Sequence, residues 1–382
     1  MNATKRIYLD HAATTPLCPE AREAMQNCLG QAEGNASGVY QSAREAKRML
    51  EQARSEVAQL LGALPNEVYF TSGGTESDNW ALKGLAARSH PGGHLVTSMI
   101  EHPAVLNTCR FLERQGFEIT CLQPDRSGRI SPEDVRKAIK PSTFLVSVMW
   151  ANNETGTIEP VSELAQAAHE AGLPFHTDAV QAVGLLPVHF HGCGADMLSL
   201  SAHKFYGPKG IGALLIRAGL PIEPLLHGGE QERSLRASTE NVIGAVGMAA
   251  ALKAAVACRE AESVRISRLR DTLQSLLCAS LLDIVVNAKD AERLPGHLHI
   301  SIPRVDDQSM IPLLDLNGVE ASAGSACTAG SYVESHVMKA IGTPPELLRG
   351  SLRLTLGRET SEEDIDLAAE RITQTVTSLR GH

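Results

Sequence analysis

The chain has 382 residues, 43% of them hydrophobic and 21% charged, and a formal net charge of −9. That length supports a large core divided over about two domains. The acidic balance excludes a nucleic-acid surface, which needs a basic face, and no apolar run in the sequence approaches the roughly 20 residues of a membrane span.

The N-terminal run MNATKRIYLDHAATTP has no signal-peptide apolar region, so a cytoplasmic location is expected. Residues 43–61 place Ala46, Met49, Leu50, Ala53, Val57, Leu60 and Leu61 on one helical stripe, which Gly62 ends. Short apolar runs then alternate with helical segments. EVYFTS (67–72) precedes a helix from about Thr75, HLVTSM (94–99) one from near Pro103, and TFLVSVMW (143–150) the helix 161–172. LPFHTD (173–178), DMLSLS (196–201) and GIGALLIR (210–217) complete the set. Apolar runs alternating with helices predict an α/β fold, a mostly parallel sheet covered on both faces. From residue 241 a long Ala-rich helical stretch leads to HLHISIP (297–303), SLRLTLG (351–357) and an acidic C-terminal helix, which suggest a smaller α/β unit. The eight cysteines (Cys18, Cys28, Cys109, Cys121, Cys193, Cys258, Cys278 and Cys327) include no C-x-x-C pair. Neither a zinc site of ordinary spacing nor a disulfide scaffold is expected, and most should be buried small hydrophobes.

In an open parallel sheet, ligands gather at the carboxyl ends of the strands. TSGGTES (71–77) offers Gly73 and Gly74 for close approach and Thr75 and Ser77 at a helix start. This is an anion cradle suited to phosphate, or an ordinary N-capped turn. His102 stands just ahead of Pro103, and ANNETG supplies Asn152, Asn153 and Glu154. Asp178 ends a buried run and therefore needs a cationic or hydrogen-bonding partner. SLSAHKFYGPKG sets Ser201, His203 and Lys204 at the next strand end. Singly, each has an ordinary structural explanation. Together, a phosphate cradle, a histidine, an amide, an acid and a lysine fit pyridoxal phosphate (PLP). An aspartate keeps its pyridine nitrogen protonated, and a lysine of lowered pKa condenses with its aldehyde. Lys204 is the expected lysine, with Ser201 and His203 joining Thr75 on the phosphate.

The motifs YLDHAATTP, SGGTES, EHPAV, NNETG, HTDAVQ, SAHKFYGPKG, SAGSAC and SLRLTLGR, in this order, resemble the cysteine desulfurases from about residue 7 to residue 375. The resemblance implies a homodimeric PLP-dependent transferase of aspartate aminotransferase-like fold. Residues 16–257 would be the large PLP-binding domain. Residues 1–15 and 258–382 would form the small domain, with a cysteine loop at about 322–336. Such an enzyme turns L-cysteine into L-alanine and holds the sulfur as a persulfide. Carried over by position, Lys204 would form the Schiff base, Asp178 would pair with the ring nitrogen, and Gln181 would approach the ring hydroxyl. His102 would stack on the ring and shuttle protons. Gly74, Thr75, Ser201 and His203 would hold the phosphate, and Thr239, in RASTEN, would reach the phosphate of the partner subunit. Asn153 and Arg353 would bind the substrate, Arg353 clamping its carboxylate in a bidentate pair, with Asn35 on the substrate side. Ser238 stands where the resemblance leads one to expect glycine.

Cys327, in GSACTAGS, would be the sulfur acceptor on a loop of small residues. A transient iron–sulfur contact through Cys327 is the only metal role implied. His336, nearby in the chain, is expected at the surface. SAGSACTAG resembles the subgroup with a long cysteine loop, which serves iron–sulfur cluster assembly or tRNA thiolation; DNA phosphorothioation is a further destination for the sulfur. The expected partners are L-cysteine, a second copy of the chain and a sulfur-acceptor or scaffold protein, without nucleic acid or membrane. The alternatives are a selenocysteine lyase, another class V aminotransferase, for which the Cys327 loop has no use, and a non-catalytic scaffold.

Overall fold

The computed structural model describes residues 5–324 and 334–381. Strand β1 (Ile7–Tyr8) pairs far along the chain, so the main sheet begins with β2 (Val68–Thr71). It continues through β3 (His94–Ser98), β4 (Glu118–Leu122), β5 (Thr143–Ser147), β6 (Phe175–Asp178), β7 (Met197–Ser201) and β8 (Gly212–Ile216). The spatial order is β2-β8-β7-β6-β5-β3-β4. Only β8 runs against the rest, pairing antiparallel with both β2 and β7. The carboxyl ends of β2, β3, β5, β6 and β7 therefore open on one edge.

The inner strands are buried on both faces, as their apolar runs require, because helices cover the sheet on each side. Strand β4 carries no such signal. It is one of the two edge strands, with Glu118 and Cys121 exposed, and the apolar pattern does not reveal it. The stripe expected at 43–61 is the helix Gln41–Leu60, which buries Ala46, Leu50, Ala53 and Val57. The same helix also buries Arg54, whose partner lies far away in sequence.

The Ala-rich stretch is one helix, Val242–Ser280. Its length and composition would suit a membrane span. Its first half instead packs on the helices Pro19–Leu29 and Gln41–Leu60, where Ala245, Met248 and Leu252 are fully buried. Its second half supplies Ile266, Leu269, Leu273 and Leu277 to another hydrophobic cluster, shared with Ile7, Leu9 and the helix Glu362–Arg380. In that region β9 (Val285–Val286), β10 (His297–Ser301) and β12 (Ser351–Thr355) make an antiparallel sheet, and β11 (Val319–Glu320) pairs with β1. Residues 9–15 tie the two sheets together. Leu9 accepts from the Thr355 N–H at 2.7 Å, and the Thr15 N–H donates to the His203 carbonyl at 2.9 Å.

Candidate active site

The five strand ends converge as expected. After β2, Gly73 adopts φ 154 and ψ −178, which a side chain would strain, and a Cβ on Gly74 would lie 2.7 Å from Val180 Cγ2. The helix Gly74–Ala86 that follows has no side-chain cap, so its first N–H groups remain available for an anion. Thr75, Ser201, His203, Thr14 and Lys209 line a cavity of ≈ 380 Å³ in front of them. His203 shares a hydrogen bond with Thr14 Oγ1 at 3.1 Å. Burial first, then the charges of Lys204 and Lys209, lower its pKa to about 4, so the ring is neutral at pH 7.

Lys204 follows β7 on a single helical turn, half-buried, and donates to the carbonyls of Ala12 and of Ala13 (2.8 Å). Burial and the Arg353 charge lower its pKa to about 8, against the pull of Asp178 and Asp10. An amine in this state supplies the neutral, nucleophilic form far more readily than a surface lysine. The opening turn of the N-terminal motif is thus the seat of the lysine, and Gln181 donates to the same Ala12 carbonyl at 3.0 Å.

Asp178 closes β6, buried, and accepts from the Val180 N–H at 2.9 Å. Burial pushes its carboxyl up to about 6, while that hydrogen bond and Lys204 pull it back. Behind it Asp78 is wholly buried, 3.8 Å from His176 Nε2, and its Oδ1 has no hydrogen-bond partner. Burial and the Asp178 charge push the Asp78 carboxyl well above the usual range. His102 caps the helix Pro103–Arg114, accepting from the Ala104 N–H at Nδ1 over 3.1 Å. The neutral ring therefore carries its proton on Nε2. Burial lowers its pKa to about 4, helped by Lys204 and His336.

Arg353, on β12, is buried beside the main-sheet edge. Its Nη2 pairs with Asp10 at 2.8 Å and its Nη1 donates to the Asn153 carbonyl at 3.0 Å, while Nε is buried without a partner. Asn153 thus meets Arg353 through its backbone. Asp10, Glu101 and His297 are site neighbours that the sequence does not single out, and Glu154, expected there only as a polar loop group, lies near Arg353 as well. Glu101 accepts from Ser98 Oγ (2.6 Å) and the Met149 N–H (2.9 Å), fixing the turn before His102, and burial pushes its carboxyl up to about 8. His336 shares a hydrogen bond with the Glu101 carbonyl at 2.9 Å and is half-buried, which corrects its expected surface position. Asp10, Glu101 and Glu154 lie within the quoted motifs, whereas His297 sits in the apolar run 297–303 and carries no such sign.

Two assigned residues stand apart from this cluster within one chain. Asn35 is exposed, its Oδ1 accepting from the Ser37 N–H at 2.9 Å. Thr239 is also exposed and lines a cavity of ≈ 160 Å³ with Arg236 and Asn241, which adjoins the phosphate-side one at Ser72 and Gly210. Among the described residues, the side-chain hydrogen bonds of Lys204 go to Ala12 and Ala13 and to neither of these two. Cys327 lies outside the described residues. Of the other seven cysteines, all free thiols, Cys18, Cys28, Cys109 and Cys193 are buried as expected, while Cys121 is exposed and Cys258 and Cys278 are half-buried. No metal-binding cluster occurs among the described residues.

A family model, aminotransferase class V, matches residues 7–367. The chain belongs to the class V aminotransferase family. It is 47% identical over 377 residues to a cysteine desulfurase IscS of Dictyoglomus turgidum, covering 98% of this chain and 96% of that one. Among solved structures, a NifS-like protein superposes with a TM-score of 0.91 at 35% identity, covering 98% and 100% of the two chains. A structure described as SspA in complex with cysteine superposes with a TM-score of 0.79 at 36% identity, covering 92% and 98%.

Class V aminotransferases are PLP-dependent, and the residues present fit that cofactor. The uncapped helix start, with the Cβ-excluding Gly74, suits the phosphate; buried Asp178 suits a protonated ring nitrogen; and Lys204 has the lowered basicity that imine formation needs.

Proposed function

We infer that this class V aminotransferase is a PLP-dependent cysteine desulfurase, converting L-cysteine to L-alanine and placing the sulfur on Cys327. The observation that carries this reading is Lys204, half-buried at a strand end and held on the Ala12 and Ala13 carbonyls, with its basicity lowered by burial and the Arg353 charge. Gly74, Thr75, Ser201 and His203 would hold the phosphate, Asp178 the ring nitrogen, Gln181 the ring hydroxyl and His102 the ring face. When bound, PLP withdraws electrons from the substrate α-carbon.

The chain's own groups do the rest. Arg353 offers its guanidinium edge to the substrate carboxylate, with the unpartnered Nε as one donor, and Asn153 lies against it. Lys204 Nζ takes the α-proton, and His102 donates from Nε2. The Cys327 thiolate attacks the substrate sulfur, the carbon–sulfur bond breaks toward carbon, and protonation there completes alanine. The overall balance is L-cysteine plus the Cys327 thiol giving L-alanine plus the Cys327 persulfide.

A homodimer belongs to the same proposal. Asn35 and Thr239 are exposed, beside the exposed Val39, Tyr40 and Leu226, and a second copy would bring them to its own site. The sulfur then passes to an acceptor or iron–sulfur scaffold protein. A cytoplasmic setting accords with seven free thiols.

The test is incubation with sulfur-labelled L-cysteine followed by mass spectrometry of the protein. Label on Cys327 with stoichiometric alanine is expected. Undiminished alanine release by Cys327→Ala, without added thiol, would overturn the reading.

A further inference from the structure

A second cavity, of ≈ 40 Å³, lies behind Lys204 and shares no lining residue with the phosphate-side cavity. It is lined by Lys204, His297, Gln181 and Tyr206 at its inner part, and by Glu262 and Ser263 of the helix Val242–Ser280, both half-buried. His297 is buried on β10, and neither of its ring nitrogens has a hydrogen-bond partner. Two such orphans on one buried ring are uncommon, since nearly all buried polar groups are paired. The packing that places the ring there is tight. Gly156 takes φ +78 and a Cβ on it would lie 2.4 Å from His297 Cβ.

The cavity has the polar partners that ordered water needs. Gln181 spends its Nε2 on Ala12, leaving its oxygen to accept. The Tyr206 hydroxyl accepts from the Arg358 N–H at 2.8 Å, leaving its hydrogen to donate. Lys204 uses two of three N–H groups on carbonyls when charged. A water needs about 10–15 Å³ and two to four partners, so the ≈ 40 Å³ space holds roughly three or four.

We propose that this cavity holds a short chain of ordered waters, anchored by His297, through which Lys204 exchanges its proton with solvent on the Glu262 face. The inference rests on reading Lys204 as the cofactor's lysine. Once released from the cofactor, its amine must shed a proton to act as a base, yet two carbonyls favour its ammonium form. Cofactor and substrate would occupy the side toward the phosphate cradle, which leaves the rear passage. The step is proton transfer alone. An N–H bond of Lys204 breaks, the electron pair stays on Nζ, and the excess proton passes along the waters to bulk solvent; nothing is oxidised or reduced.

Crystals of the PLP-loaded enzyme, diffracting well enough to show ordered water, should reveal at least one water bonded to a His297 nitrogen, absent in His297→Leu. After a pH jump, the cofactor absorbance reports proton movement at Lys204 Nζ independently of substrate. His297→Leu should slow that relaxation and lower kcat for alanine about tenfold with KM little changed, while His297→Gln keeps most of both. Narrowing the mouth with Ser263→Leu should slow the relaxation without touching the site. Thermal unfolding of each variant separates misfolding from relay loss. A dry cavity, or His297→Leu with native relaxation, overturns the proposal. Absence of alanine from the native enzyme would count against the functional reading alone, because the water density and the pH jump still judge the relay.

Discussion

The strand-end site and the loop 227–241 solve the same problem, placing side chains for chemistry, by opposite means. At the strand ends Asp178, Ser201 and Lys204 sit on ordinary extended or helical backbone, and parallel pairing fixes their spacing. The loop is strained. Of seven described non-glycine residues with positive φ, four lie in it: Glu232 (44), Arg233 (57), Ser234 (63) and Ser238 (104). Each such residue costs about 1–3 kcal/mol. A buried fork holds the turn, with Arg54 Nη1 and Nη2 reaching the two Glu232 oxygens at 2.7 and 2.8 Å. Glu232 also accepts from the Phe70 N–H at 3.0 Å, and the Arg233 guanidinium lies 4.0 Å over the Tyr69 ring. A sheet edge positions groups without strain. The loop that carries the exposed Thr239 has no strand to extend, and it is bent and pinned to β2.

The hardest blow to the strand-end half of this contrast is Lys204→Ala. It should remove the visible cofactor band and cut alanine formation by about 10³-fold or more, because nucleophile and base are lost together. Thermal unfolding should stay cooperative. Near-native turnover would show that strand-end convergence here is architecture without chemistry.

The loop half breaks at Arg54. Arg54→Met leaves the Glu232 charge buried without its partner, and unfolding in urea should show a loss of about 3–5 kcal/mol. Adding Glu232→Gln to Arg54→Met should recover part of that loss, since the uncompensated charge is gone. A double variant no better than the single one would mean that the fork is incidental to the turn.

A pH titration sharpens the contrast from the other side. In the cofactor-free protein the folded-state pKa of Lys204, about 8, lies below its ordinary 10.5. Between those values the unfolded chain binds more protons than the native one, so this group makes stability rise with pH across about 8 to 10.5. Below 8 the amine is charged in both states and its full desolvation penalty is present. The difference in unfolding free energy between native protein and Lys204→Met should therefore shift by about 2–3 kcal/mol over that window. A pH-independent difference would place the amine in solvent-like surroundings.

The sequence reading followed the same divide. Doubly buried strands read as apolar runs, so β2, β3, β5, β6, β7 and β8 and the polar residues closing five of them were legible. Edge strand β4 was not, because Glu118 and Cys121 face solvent and interrupt the pattern. Arg54 lay hidden inside a helical stripe, since its partner is 178 positions away. Asp10 and His297 are not singled out, and Glu154 reads only as a polar loop group, for a similar reason. Their roles arise where β10, β12 and residues 9–15 cross the main-sheet edge, and no local periodicity reports that crossing. Ser238 was the exception, noticed as a departure from an expected glycine, and the structure gives the cause.

At φ 104 Ser238 lies outside even the left-handed helical region that side chains tolerate, while its N–H still reaches Gln231 Oε1 at 3.3 Å. Glycine adopts such a φ freely but loses about 0.5–1 kcal/mol more backbone entropy on folding. Relief of strain outweighs that loss, and Ser238→Gly should stabilise the protein by about 1 kcal/mol in urea unfolding. Ser238→Ala keeps a Cβ and should gain nothing, so the pair of variants separates backbone strain from the loss of a hydroxyl. Equal stability of the two would mean that the loop carries its positive φ at no cost, and the pinning by Arg54 would then need another reason.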